Sequence, residues 1–399
     1  MGGGEAAYVT QAFDSNWLST VGPNLDALER EFTGLIGRPS VGLVNGTSGL
    51  HLAFRLVGVR AGDEVLTSTC TFAASCNPVL YQGGRPVFID SERETWNLDP
   101  NLLAKALRTR AERGRLPRAV CLVHLFGQSA DLDVIERICR EYEVPLIEDA
   151  AESLGARYKG RHPGTAGEIS VFSFNGNKII TGTSGGMLTS PNEEWVNRVR
   201  HWSTQARDPD PDGTNNYIHA ELGYNYRLSN VLAGIVRGQL EVLEERVQQR
   251  RAVFDRYCRA FAGLPGIEPQ PEADFGCPED LVTGRTRHTR WLSCFLIDEA
   301  AFGLSAANLI RALGAANIEA RPVWKPMHTQ PLYRGFECLG GEVAEDLNRR
   351  GICLPSSSSL SEEDQNRVIE TVRSAHELAV VSRQDRVSFV GVSRPEDTA

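Results

Sequence analysis

Between about residues 40 and 190, short apolar β-forming runs alternate with stretches of helical periodicity, and this alternation restricts the fold more than any other feature of the chain. Val41–Val44, Glu64–Thr69, Pro86–Asp90, Arg118–Leu125 and Val144–Glu148 read as strands, most of them continuously apolar. Within 131–142 (DLDVIERICREY), Leu132, Ile135, Ile138, Cys139 and Tyr142 recur at three- and four-residue steps, and Asp131 is placed to cap the start. Strands separated by helices form parallel β-α-β units with helices on both faces of the sheet. Two more strands, 168–174 (EISVFSF) and 185–190 (GGMLTS), follow with no full helix between them. The expected class is therefore α/β, with a mixed, mostly parallel sheet between helices.

After residue 190 the character changes. The segment 228–263 is one long helical pattern without proline, suited to join two domains as a continuous or bent helix. The stretch 265–289 is rich in Pro, Gly and charge and reads as loop. Beyond it, Trp291–Ile297, a helix near 305–316, Ile318–Val323 and a helix from about 361 make a smaller α+β unit. Ser361 with Asp364 three residues on predicts a capping box for that last helix. A chain of 399 residues has room for both parts. The expected division is a large domain over 24–245, and a small C-terminal domain over 246–399 joined by the N-terminal segment 1–23.

Charge and cysteine usage narrow the function classes. The net charge is −9 with no run of Lys or Arg, which argues against a nucleic-acid partner but leaves room for a small anionic substrate. The longest apolar stretches, such as 118–126, fall well short of the roughly 20 residues of a spanning helix. No basic-then-apolar leader opens the sequence, so a cytoplasmic protein without a membrane partner is expected. Nine cysteines are scattered without a C-x-x-C pair. They read as reduced thiols and not as a metal site, Cys70 and Cys76 included.

Three local features lie just beyond strand ends, where an open α/β sheet binds ligands. Asn45-Gly46-Thr47-Ser48-Gly49 joins a strand to a helix, and the free N–H groups of a helix start attract anions. It equally reads as a plain helix cap. Glu148-Asp149-Ala150-Ala151-Glu152 ends a strand, where Asp149 could pair with a protonated heteroaromatic nitrogen or simply cap a helix. Phe172 to Lys178 (FSFNGNK) leaves another strand, with Gly182, Gly185 and Gly186 following. A lysine removed from water there becomes a nucleophile toward an aldehyde, whereas a lone loop lysine is a solvated charge. Ser173, five residues earlier, is placed to donate to a phosphate.

The chain resembles the DegT/StrS group of sugar aminotransferases, fold-type I pyridoxal 5′-phosphate (PLP) enzymes that act on nucleotide-linked keto sugars. The resemblance spans roughly 8–375. It rests on 13–23 (FDSNWLSTVGP), 45–54 (NGTSGLHLAF), 61–72 (AGDEVLTSTCTF), 123–131 (VHLFGQSAD), 147–155 (IEDAAESLG), 172–187 (FSFNGNKIITGTSGGM), 222–230 (LGYNYRLSN), 319–328 (EARPVWKPMH) and 351–365 (GICLPSSSSLSEEDQ). Nine such pieces in the family's order leave chance no part.

The resemblance implies roles. Lys178 would form the Schiff base and later move protons, and Asp149 would pair with the pyridinium nitrogen. Phe72 would stack on the ring, and Thr47, Ser48 and Ser173 would hold the phosphate. Asn225 would reach the site of a neighbouring subunit in a homodimer. Where this chain has Glu152 the family often has Gln, near the cofactor's phenolic oxygen, so a shared proton is expected there. The amino donor would be L-glutamate and the product an amino sugar for glycan synthesis. The pieces FNGNKIIT and RPVWKPMH look most like the branch that aminates C4 of UDP-linked 4-keto-6-deoxy-N-acetylhexosamines, with Asn16, Trp17, Lys325 and His328 near the sugar nucleotide. GDP-linked perosamine-type and dTDP-linked sugars stay open. A PLP sugar dehydratase or lyase is the alternative activity, but related dehydratases carry His in place of Lys178. A silent PLP-binding regulator would need a DNA-binding appendage, and none is evident.

Overall fold

A computed structural model describes residues 1–214, 216–276 and 285–390, with only the helix path given for 382–390. Its contacts divide into two compact units. One comprises Met1–Gln248, Glu272–Trp291 and Pro326–Ala344; the other comprises Gln249–Pro271, Leu292–Lys325 and the chain from Glu345.

The larger unit is built on eight strands: β1 (Ser40–Leu43), β2 (Glu64–Ser68), β3 (Arg85–Ile89), β4 (Ala119–Val123), β5 (Leu146–Asp149), β6 (Ile169–Ser173), β7 (Gly186–Thr189), and the late β11 (Cys338–Leu339). Their order is β1-β7-β6-β5-β4-β2-β3-β11. All neighbours are parallel except β7, which runs antiparallel to both β1 and β6. The mixed sheet follows from the short β6–β7 connection, which has no helix to carry the chain back. Both faces are buried. Val120 and Leu122 pack into one core with Leu132, Ile135, Ile138 and Cys139 of the helix Leu132–Glu141. Ala119 and Cys121 pack into the other, with Leu50, Leu52 and Phe54 of the helix Gly46–Leu56. This strict alternation explains why the strands read as continuous apolar runs.

The N-terminal segment departs from expectation, because it belongs to the larger unit. The helix Glu5–Asp14 lies against the helix Asn230–Leu240, where Gly234 and Gly238 present bare backbone. A Cβ on Gly238 would fall 2.6 Å from the Glu5 amide nitrogen, and one on Gly234 would fall 3.0 Å from Tyr8 Cβ. The Tyr8 hydroxyl donates to Glu241 at 2.5 Å, and buried Glu5 accepts from Gln239. Segments 272–291 and 326–344, expected in the small domain, also pack with the larger unit.

The smaller unit carries an antiparallel sheet, β10-β12-β9-β8, made of β8 (Ile267–Pro269), β9 (Ser293–Ile297), β10 (Arg321–Pro322) and β12 (Gly351–Leu354). Its core joins Phe295, Leu309, Ile352, Val368 and Val372. The long helical pattern over 228–263 resolves into two helices, Asn230–Leu240 and Leu243–Phe261. Strand β8 falls inside the stretch read as loop, as an edge strand where Pro269 costs no ladder bond. The expected strand 318–323 is reduced to Arg321–Pro322 at the opposite edge of the sheet. Among the described residues no helix is long and apolar enough to cross a membrane.

Candidate active site

Strands β1, β2, β4, β5 and β6 point the same way, so their carboxyl ends open along one edge of the sheet. The order of chain progression reverses between β2 and β4, the kind of switch point where such sheets bind ligands. The turns after β1, β2, β5 and β6 carry most of the residues picked out from the sequence.

The turn after β1 leads into the helix Gly46–Leu56. Asn45 caps it, accepting from both the Ser48 amide and the Ser48 hydroxyl at 2.8 Å. The first helical amides, Gly46 and Thr47, have no acceptor within the helix. Gly46 also brings this start close to β6: its Cβ would lie 3.3 Å from Ser173 Cβ. Across the turn, a Cβ on Gly186 would meet the Asn45 carbonyl carbon at 2.6 Å and the Gly46 nitrogen at 2.7 Å. The helix start, Thr47 and Ser173 thus gather donors in one place. Both Ser48 donors bond to Asn45 in this structure.

Asp149 ends β5 and is 5% exposed. It accepts from the Ser75 hydroxyl at 2.7 Å and the Ala151 amide at 3.1 Å. Ser75 is itself bonded to Thr71 at 2.7 Å, within the turn after β2 that also carries Phe72. No basic side chain among the described residues pairs with Asp149. A buried carboxylate without a cation is costly to maintain. Its neighbour Glu148 is the reverse case, with five donors around a fully buried carboxylate: His124 Nε2 at 2.9 Å, the amides of Gly164, Ala166 and Gly167 at 2.7, 2.8 and 2.6 Å, and Ser170 Oγ at 3.2 Å. Burial alone would raise its pKa, but the bonds from His124 and the amides hold it below the ordinary carboxylate value.

Lys178 follows β6, its side chain 12% exposed. Its Nζ lies 3.3 Å from Glu152 Oε1 and 4.2 Å from the centre of the Trp291 ring. The second Glu152 oxygen accepts from the Phe126 amide at 2.8 Å. Burial pushes the Glu152 carboxyl above its usual range, and the Lys178 charge offsets part of this. Phe126 has φ +55°, in the left-handed region that costs a non-glycine residue about 1–3 kcal/mol. The turn is held there by the Leu125 amide donating to Asn97 at 2.7 Å and by the Thr289 amide donating to the Gly127 carbonyl at 3.0 Å. Sequence reasoning missed Ser75, Phe126 and Trp291. Gly127 just after a strand hints at a tight turn, but nothing local marks Trp291.

Residues 1–373 match the DegT/DnrJ/EryC1/StrS aminotransferase family. The chain is 46% identical over 377 residues, 93% of each chain, to EpsN of Bacillus subtilis (strain 168), whose name describes a pyridoxal phosphate-dependent aminotransferase. It is 35% identical over 370 residues to a GDP-perosamine synthase of Caulobacter vibrioides, covering 92% of this chain and 94% of that one. Among solved structures, the aminotransferase TlmJ of Streptoalloteichus hindustanus superposes with a TM-score of 0.83 at 29% identity, over 96% of this chain and 97% of the other. The chain belongs to the DegT/DnrJ/EryC1/StrS aminotransferase family.

As an aminotransferase of this family it uses PLP. The donor set fits that cofactor: an anion-binding helix start beside Ser173, an uncompensated buried carboxylate at Asp149, and an amine at Lys178. Phe72, 57% exposed, sits in the turn that supports Asp149. His328 is bonded through Nδ1 to Thr69 Oγ1 at 2.7 Å, just past β2. Asn225 is exposed and accepts from Gln205 at 3.1 Å. Asn16 and Trp17 follow the first helix, Asn16 in the left-handed region and Trp17 50% exposed. Lys325 is exposed in the smaller unit.

Proposed function

We propose that this aminotransferase moves an amino group from L-glutamate to C4 of a UDP-linked 4-keto-6-deoxy-N-acetylhexosamine. The observation that carries the mechanistic part is Asp149, a buried carboxylate without a cation among the described residues, at the same sheet edge as the amine of Lys178. When bound, PLP supplies an aldehyde for the amine and a ring that accepts electrons. Lys178 would hold the cofactor through that aldehyde, and its amine, when free, would carry a proton away from the donor's Cα and later give it up. Proton movement by a positioned side chain is typically worth about 10²–10⁴-fold. Asp149, oriented by Ser75 and the Ala151 amide, would pair with the ring nitrogen and favour its protonated form. Thr47, Ser48 and Ser173, with the free amides of the helix start, would hold the phosphate, and Phe72 would stack on the ring. Asn16, Trp17, Lys325 and His328 meet the sugar nucleotide.

Similarity to a GDP-perosamine synthase at 35% identity favours a second reading, in which the nucleotide is GDP. Exposure of Asn225, with Leu222 68% and Tyr217 71% exposed nearby in sequence, supports a homodimer in which this loop enters the partner's site. The enzyme works in the cytoplasm.

Borohydride reduction of the enzyme with bound PLP, followed by peptide mapping, should fix the cofactor on Lys178, and Lys178→Ala should retain none. L-glutamate alone should release one equivalent of 2-oxoglutarate, and a panel of UDP-, GDP- and dTDP-linked 3- and 4-keto sugars should yield a 4-amino product with UDP. Cofactor mapped elsewhere sinks the assignment of Lys178. Amination only of GDP-linked sugars replaces the first substrate reading by the second.

A further inference from the structure

Lys178 is enclosed by two walls of different chemistry. Glu152 Oε1 lies 3.3 Å from Nζ, and the Trp291 ring centre lies 4.2 Å away. Both are buried, at 6% and 1% exposure. The indole is also tied to the lysine loop, since its Nε1 donates to the Asn177 carbonyl at 2.7 Å, one residue before Lys178. The Phe126 ring lies 6.3 Å from that of Trp291. One ring therefore contacts the amine and anchors the backbone that presents it.

The two walls act differently on a proton. A carboxylate attracts an ammonium but can also take its proton, and in a buried site such a pair tends to collapse to the neutral form. An aromatic face attracts the cation and has no basic atom to accept the proton. We infer that Trp291 is a positioning residue for amino transfer: together with Glu152 it forms a cradle for the Lys178 ammonium that exists once the freed amine has collected a proton, and it holds that proton on the lysine until it is passed on. The inference rests on the reading of Lys178 given above. Among the described residues, Glu152 is in direct contact with the amine, and the charge of Asp149 acts on Glu152.

The test measures the amine itself. The full-length, cofactor-free protein is labelled with trace acetic anhydride across a pH series, and the acetylation of Lys178 is read by mass spectrometry. Lys105, Lys159 and Lys325 serve as internal references. Trp291→Leu should shift the Lys178 labelling midpoint down by about one pH unit, the size of a desolvated cation–π contact. Trp291→Phe should shift it less, and the references should stay put. Biosynthetic incorporation of fluorinated tryptophan weakens the ring's negative face at unchanged shape. It should also lower the midpoint, and it carries the comparison if the leucine variant does not fold. An unchanged midpoint in the fluorinated protein overturns the cradle, and so do equal shifts in the Phe and Leu variants. Borohydride mapping separates the two claims. Cofactor found on another residue defeats the functional reading, whereas cofactor on Lys178 with an unmoved midpoint defeats the cradle alone.

Discussion

Glu148 and Asp149 are adjacent carboxylates at the end of one strand, and replacing each by its amide should give opposite results. Glu148 Oε1 takes three donors and Oε2 takes two. In Glu148→Gln one of these positions becomes an NH₂ group. The smaller loss places that group where His124 Nε2 and the Gly164 amide converge. His124 cannot turn acceptor there, because its Nδ1 already accepts from the Ala130 amide at 3.2 Å. Two buried donors are left facing a donor, at about 1–3 kcal/mol each, so about 2–6 kcal/mol of stability is lost. Asp149→Asn meets no such conflict. Its oxygen can keep the Ala151 amide, and its NH₂ can donate to Ser75, whose hydroxyl then turns toward Thr71. The change in stability should stay within about 1 kcal/mol, since weaker bonds are offset by the easier burial of a neutral group. Function should follow the other order. A carboxylate about 3–4 Å from a protonated ring nitrogen would be worth about 4–5.5 kcal/mol at an effective dielectric of about 20, an upper bound of about 10³–10⁴-fold in rate. The assays are thermal and urea unfolding of cofactor-free protein, and the single-turnover donor reaction with cofactor bound. The pH dependence adds a sign. The folded pKa of Glu148 is depressed, so its contribution is present above the unfolded value of about 4.3 and fades as the pH falls through the folded value. The gap between wild type and Glu148→Gln should therefore narrow on acidification below about 4.3. Equal unfolding of Glu148→Gln and wild type, or an equal loss in Asp149→Asn, refutes the reasoning.

Gly186→Ala should push β7 away from the Asn45–Gly46 turn, costing about 1–3 kcal/mol and weakening PLP retention; unchanged melting and an unchanged PLP titration would count against it. Glu152 has its folded pKa raised by burial, so it subtracts stability as the pH rises from its unfolded value through the folded one. The stability of Glu152→Gln relative to wild type, both cofactor-free, should accordingly grow with pH above about 4.3, and a gap that shrinks would show the sign to be wrong. Ser361 accepts from the Asp364 amide at 3.0 Å and donates to the Asp364 carboxylate at 2.7 Å. Ser361→Ala should lose about 1 kcal/mol, read as a lower urea midpoint, whereas a full loss of folding would point to a different role for the residue.

The central sheet was legible because burial on both faces leaves a strong trace. Val120 and Leu122 serve one core and Ala119 and Cys121 the other, so the strand reads as unbroken apolar sequence. The edges left no such trace. Strands β8, β10 and β11 have two or three residues each, two of them end in proline, and they exist only because a neighbour offers a ladder. The first helix was assigned to the wrong unit because its partners, Gly234 and Gly238, mark a close approach that a sequence does not distinguish from any other pair of glycines.

The candidate site shows the same division at the level of single groups. Asn45, Asp149, Ser173 and Lys178 were legible because a parallel sheet sends every strand end to one edge, and position along the chain is then position in the site. What each group does there depends on the donors around it, and those come from remote segments. Glu148 and Asp149 are consecutive acids, yet five donors make one a structural anchor and two leave the other a charge to be neutralised. Glu152 was expected to face a phenolic oxygen and share its proton. In the structure its neighbour is the amine of Lys178, with Trp291, from far along the chain, on the other side. A carboxylate at that position repels a phenolate unless one of them carries a proton, and in the cofactor-free site the Lys178 amine 3.3 Å away is a further place for that proton.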